Sequence, residues 1–332
     1  MAYNAKFHHV GDRASINFIS NQLEYNLKSF LDYGFLAAGG FINVQASGNN
    51  VHGMSQYRLY PVNDANYKQG QVWQTARKNW VHESNIGGPS TYGAPYNTGT
   101  HSSSRPIGIT GIRIDSVTYS DAVAGTYAHK LDYKNGRVIF NTGIPTNTKI
   151  DLNYSYKWVQ VYDYSEAEWW KEIQYNTDSN TDHLNRKDKG DFFVDPKHRV
   201  QLPAVVIETV PRSFSSPYRL GDLSMVLDQD VLIHVVAQNH YDRNNITDII
   251  RLQQDRVLNM YDINTVAKSG VYTYNFDGTL NNSRLDYSAL VQNNAYLHNT
   301  CRLKNMVVSE VESVNPDLYE STIRLTAEII IV

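Results

Sequence analysis

The sequence predicts an α+β protein. A β-rich, sandwich-like N-terminal and middle region precedes a C-terminal α/β domain, in which one helix packs on a mostly antiparallel sheet. Three observations carry this reading. In the final stretch, Tyr319, Ser321, Ile323, Leu325, Ala327, Ile329 and Ile331 alternate with Glu320, Thr322, Arg324, Thr326 and Glu328, the pattern of a strand with one buried and one wet face. Two short runs rich in β-branched residues, 200–210 (broken by Pro203) and 230–238, read as further strands. Between them and the C-terminus, Ile246, Ile249, Ile250, Val257 and Leu258 recur at helical spacing over 245–261, and Asn245 three residues before Asp248 supplies a start signal.

Taken in order, residues 15–33 are expected to be helical. Ile16, Ile19, Leu23, Leu27 and Phe30 form a narrow apolar stripe, with Gly34 as the stop, and that stripe can pack on its own chain or on a neighbouring subunit. Residues 46–106 are loops rich in Gly, Ser, Asn and Tyr around a short strand over 71–81; loops this long are usually functional. Trp73, Trp80, Tyr92 and Tyr96 argue for order there through contact with another chain. From Ile107 the β pattern is regular: one or two strands through Ile107, Ile109, Ile112, Ile114 and Val117, then a hairpin whose Asn135-Gly136 predicts a type I′ turn. A strand over 149–161 follows, with a phase shift that implies a bulge or two exposed faces. Ser165 and Glu168 form a capping box for a short helix, 166–175. Residues 302–314 and 319–332 close the chain as strands around Asn315-Pro316-Asp317. The resulting division is 1–45 helical segment, 46–106 loops, 107–176 β-rich domain, 177–198 polar linker and 199–332 α/β domain.

Composition excludes more than it selects. A formal net charge of −3 over 332 residues gives no electrostatic footprint for nucleic acid. The single cysteine, Cys301, rules out an intrachain disulfide framework and reads as a small buried hydrophobe. No apolar leader opens the chain, and residues 35–44 are too few to span a bilayer, so a soluble protein is expected. The 24 tyrosines suit either wet protein interfaces or ordinary cross-strand pairs. Phosphate-loop, dinucleotide, zinc-protease, nucleophile-elbow and CxxC motifs are all missing. Residues 178–189 begin like a calcium loop but carry His183 where glycine belongs and Lys189 where glutamate belongs, so they read as a solvated linker. His8-His9 lack a nearby ligand partner, and His234 reads as a hydrogen-bonded core residue. Glu166 and Glu168 are explained by capping. The expectation is a protein that is not an enzyme and needs no cofactor or metal.

The segments LPAVVIETV, YRLGD, DVLIHVVAQN and NNITDIIRLQQDRVL, followed by the final long strand, resemble neck and tail-terminator proteins of tailed bacteriophages. The stretch from Tyr127 to Phe140, with Asn153–Tyr156 and Val159–Tyr162, resembles β-rich segments of myovirus virion proteins. The resemblance spans residues 107–332 and contains no signature motif; the first hundred residues match no known pattern. It implies a non-enzymatic ring, hexameric in the family, joining tail to head. Its partners would be itself and neighbouring neck and tail proteins, with DNA passing through without specific binding and no membrane contact. The chain would belong to the virion and be assembled in the host cytoplasm. The last strand, through Ile323, Leu325, Ile329 and Ile331, would complete a neighbour's sheet by edge addition. The competing expectation is a baseplate or host-recognition protein that stacks glycans on Trp73, Trp80, Tyr92 and Tyr96; a carbohydrate-active enzyme ranks below both.

Overall fold

The structure is a computed structural model that describes residues 19–45, 56–83, 86, 106–121, 124–167, 200–218, 225–311 and 318–331. Among the described residues the chain is strand-rich and mixed α+β, as the sequence predicts. In order the elements are α1 (Ile19–Ala37), β1 (Phe41–Val44), β2 (Arg58–Pro61), β3 (Val72–Gln74), β4 (Ile112–Ile114) and β5 (Val117–Tyr119). Next come β6 (His129–Asp132), β7 (Arg137–Phe140), β8 (Ile150–Leu152), β9 (Tyr154–Lys157), β10 (Gln160–Asp163), β11 (Ala204–Pro217) and β12 (Met225–Ala237). The chain then runs through α2 (His240–Arg251), β13 (Val257–Tyr261), α3 (Ile263–Ser269), α4 (Tyr287–Gln292), β14 (Leu297–Val311) and β15 (Tyr319–Ile331).

Six strands form one sheet in the order β10-β11-β12-β15-β14-β13, antiparallel throughout except for the β10–β11 pair. Ile323, Leu325, Ala327 and Ile329 of β15 point to one face together with Val231, Ile233 and Val235 of β12, and all are buried. Both α1 and α2 cover that face: Leu23, Leu27, Leu31 and Phe35 of α1 and Ile246 and Ile250 of α2 share a single core with the strands. The N-terminal stripe therefore packs within its own chain. The helix runs past Gly34 and stops at Gly39 (φ +89°), where Gly39 N donates to Leu36 O and Gly40 N donates to Phe35 O, the paired bonds of a Schellman ending. Gly34, with an open surrounding, does not interrupt the helix.

Two expectations shift here. The helix is α2, not 245–261: Asn239 caps it by accepting from Asp242 N at 2.8 Å, and it ends at Leu252. Val257 and Leu258 belong to β13, where alternation sends Leu258 and Met260 inward and leaves Val257 outside. The edge role for the last strand also fails. β15 is central, paired with β12 from Tyr319 to Ile331 and with β14 from Glu320 to Ile329, so its backbone has no free side over that length. Ile323, Leu325 and Ile329 are at most 1% exposed and line the core; Ile331 pairs through its backbone with Met225.

The other large sheet, seven strands in the order β5-β4-β8-β2-β3-β7-β6, is built from strands of three or four residues. The expected strand over 149–161 is divided among three sheets: β8 joins the seven-stranded one, β9 pairs with β1, and β10 joins the six-stranded one. The expected 71–81 strand is only β3, after which Trp80 makes a single bridge to Tyr156. The two-residue turn lies at Asp115-Ser116 (φ +48° and +70°), linking β4 to β5. At Asn135-Gly136 the register Asp132↔Arg137 leaves a four-residue loop in which only Gly136 has positive φ. Asp132 organises it by accepting from Asn135 N at 3.0 Å. The helix expected over 166–175 lies outside the described residues beyond Ala167; there Asp163 accepts from Glu166 N at 3.0 Å. The 178–189 loop and His8-His9 also lie outside them.

Candidate functional site

The most densely charged buried point lies where the short-stranded sheet, α1 and β9 meet. All four residues of β9 are buried. Its alternation sets Tyr154 and Tyr156 into the aromatic core and carries Lys157 to the junction. Lys157 Nζ donates to Asp32 Oδ2 of α1 at 2.6 Å and to Glu83 Oε1 at 2.9 Å. Lys157 and Glu83 side chains are 8% and 7% exposed, whereas Asp32 keeps 27%. His82 Nε2 lies 3.3 Å from Glu83 Oε1, and Tyr274 packs edge-on against the His82 ring at 5.4 Å.

One ammonium thus faces two carboxylates. Burial alone would lower the Lys157 pKa, but the charges of Asp32 and Glu83 hold it well above its ordinary value. Burial would raise Glu83, yet His82, Lys157 and the hydrogen bonds pull it down to about 2. Asp32 goes the other way: burial, with the Glu83 charge beside it, outweighs Lys157 and pushes it up. His82 is driven down to about 4, chiefly by burial, and so stays neutral. Two like charges sharing one counter-ion split in this manner.

Further polar contacts tie α1 to its surroundings. Asn26 donates to Tyr261 O at 3.0 Å and accepts from Tyr261 N at 2.9 Å, while Gln22 donates to Asp262 Oδ1 at 2.9 Å. Tyr287 Oη donates to Asn259 O at 3.0 Å. Together these contacts occupy part of the free edge of β13. Lys28 pairs with the buried Asp163 at 3.1 Å and with Glu166, which is nearer solvent. On the polar face of the six-stranded sheet, His234 is buried between Glu208 (3.3 Å) and Thr322 (3.2 Å), the hydrogen-bonded core histidine expected. Cys301 is a free buried thiol whose pKa burial raises to about 12, as its small-hydrophobe reading requires.

The predicted aromatic contact residues divide. Trp73 and Trp80 are 1% and 0% exposed, and their indole N–H groups donate internally, Trp73 to Gly70 O (2.9 Å) and Trp80 to Thr75 Oγ1 (3.1 Å). Neither offers a face to a sugar or a partner; a large ring with its N–H satisfied inside is core. Tyr92 and Tyr96 lie outside the described residues. Among the described residues the exposed aromatic side chains are Tyr25, Tyr67, Phe214, Tyr218, Tyr241, Tyr272 and Phe276. Sequence reading missed the Lys157 cluster, whose only local signal is a lysine inside the apolar run Tyr154–Trp158. Its carboxylates come from positions far away in the chain. Among the described residues no group of three or more His, Cys, Asp or Glu side chains is arranged to hold a metal ion. Nor is any of the described helices long and apolar enough to cross a membrane. No protein-family model and no curated protein matches this chain.

Proposed function

We propose that the chain is a structural subunit of a tailed-phage particle, a non-enzymatic ring component of the neck or tail-terminator region. The observation that carries the assembly part of this reading is the outer edge of β11. β10 pairs with β11 only from Ala204 to Ile207, and beyond it no described strand covers the remaining backbone to Pro217. A bulge between Thr209 and Ser213, containing Pro211, blunts the middle of that edge; Gln229 pins it by donating to the Val210 and Arg212 carbonyls. Distally, among the described residues, Ser213–Pro217 pairs with β12 alone and carries Phe214, 69% exposed. A subunit contact by strand addition fits there, in place of the last strand. The glycan-binding alternative loses its two central tryptophans to the core.

Light scattering on the purified chain, followed by electron microscopy of any large species, tests this. A closed ring is expected, and Ser215→Pro, which removes a backbone donor from the edge, should reduce it to monomers while leaving the fold intact. A monodisperse monomer at high concentration that also fails to join purified tails would contradict the reading.

A further inference from the structure

In the Lys157 cluster a buried amine lies within hydrogen-bond distance of two carboxyl groups. We propose that Lys157 and Asp32 condense spontaneously to an amide, with Glu83 as the proton-transfer residue. The amine nitrogen already lies 2.6 Å from a carboxyl oxygen of Asp32, so the carbon it must attack is within contact range. Glu83 lies 2.9 Å from the same nitrogen, the reach required of a general base and acid. Burial of Lys157 and Glu83 withholds the water that would otherwise solvate their charges. The partial exposure of Asp32 leaves the departing water a way out.

The assignment of roles follows from the surroundings. Glu83, 2.9 Å from the amine and ionised beside it, is the carboxylate placed to take a proton from the ammonium. Asp32 is pushed toward its neutral acid by burial and by the Glu83 charge, which suits an electrophile. The step balances without any co-reactant. Asp32 takes up a proton, and Glu83 accepts one from the Lys157 ammonium. The freed lone pair attacks Asp32 Cγ, forming the C–N bond. Glu83 then protonates the leaving hydroxyl, the C–O bond breaks and water departs. The nitrogen, left with one proton too many, passes it to Glu83, which releases it to solvent and so balances the proton that Asp32 took up and lost with the departing water. The product joins α1, on the six-stranded sheet, covalently to β9, which pairs with β1.

Intact mass spectrometry of the purified full chain tests this directly. The predominant species is expected to be lighter than the sequence mass by one water. Proteolysis should leave Lys157 uncleaved by trypsin and yield a branched peptide joining it to the fragment that contains Asp32. Glu83→Gln should restore the full mass in chains whose circular dichroism matches the native protein. A wild-type chain at its full sequence mass overturns the proposal whether or not the variant folds. So does a water loss that fragmentation places elsewhere, such as a cyclised aspartate.

Discussion

The two large sheets of this protein are specified in different ways. The six-stranded sheet uses strands of up to 15 residues whose side chains alternate between a helix-covered core and a polar face. A register slip there would turn every apolar residue of β15 outward, so alternation alone fixes the pairing. The seven-stranded sheet has strands too short to carry such a code. Its order comes from close backbone approaches: a Cβ at Gly70 would stand 2.1 Å from Ile144 O, one at Gly136 2.4 Å from Arg77 O, and one at Gly143 2.4 Å from Gln69 O. Side chains also bond to backbone there, as when Tyr154 Oη donates to Gln56 O at 2.9 Å. Long strands tolerate local faults because many pairs share the register; short strands depend on single contacts.

Five substitutions sharpen that contrast. Trp73→Ala removes a buried ring and its bond to Gly70 O, and should cost about 4 kcal/mol in denaturant unfolding; Leu325→Ala in β15 should cost about 3 kcal/mol. Gly70→Ala places a side chain against backbone at a φ of +79° and should cost about 3 kcal/mol, comparable to deleting a core leucine. At the junction, His82→Phe should change the pH dependence of stability. Burial lowers the histidine from its ordinary 6.5 to about 4, so the unfolded chain takes the proton first. Its contribution is complete above pH 6.5 and is lost as pH falls toward 4, by up to about 1.4 kcal/mol per pH unit. The variant should flatten that limb in urea titrations. Smallest is Gly34→Ala, in open space within α1, which should stabilise by about 0.5–1 kcal/mol in thermal melts.

The same contrast explains what could be read in advance. β15 follows from its own alternation, and the buried stripe of α1 from Leu23 and Leu27, because each signal is local and periodic. Helical spacing alone carries α2 on through Val257 and Leu258, which fall in phase with Ile246 and Ile250 by chance, whereas a turn through Asp255 (φ +63°) sends them into β13. Residue type points to Asn135-Gly136 for the type I′ turn, whereas Asp115-Ser116 carries the positive φ pair because its flanking strands meet in direct register. The cluster of Lys157, Asp32 and Glu83 had no periodic signature. It exists only once α1 crosses onto the six-stranded sheet and the segment after Trp80 folds back beside β9.

Native-state hydrogen exchange, followed residue by residue, tests the difference between the sheets most directly. The slowest amides should lie in β12 and β15, exchanging only with global unfolding, while those of β3 and β4 open at lower free energy. Glu83→Gln should widen that gap by loosening the junction on the short-stranded side. Equal protection across both sheets, or slower exchange in β3 and β4 than in β15, would contradict the claim that the long alternating strands hold their register more firmly than the short ones.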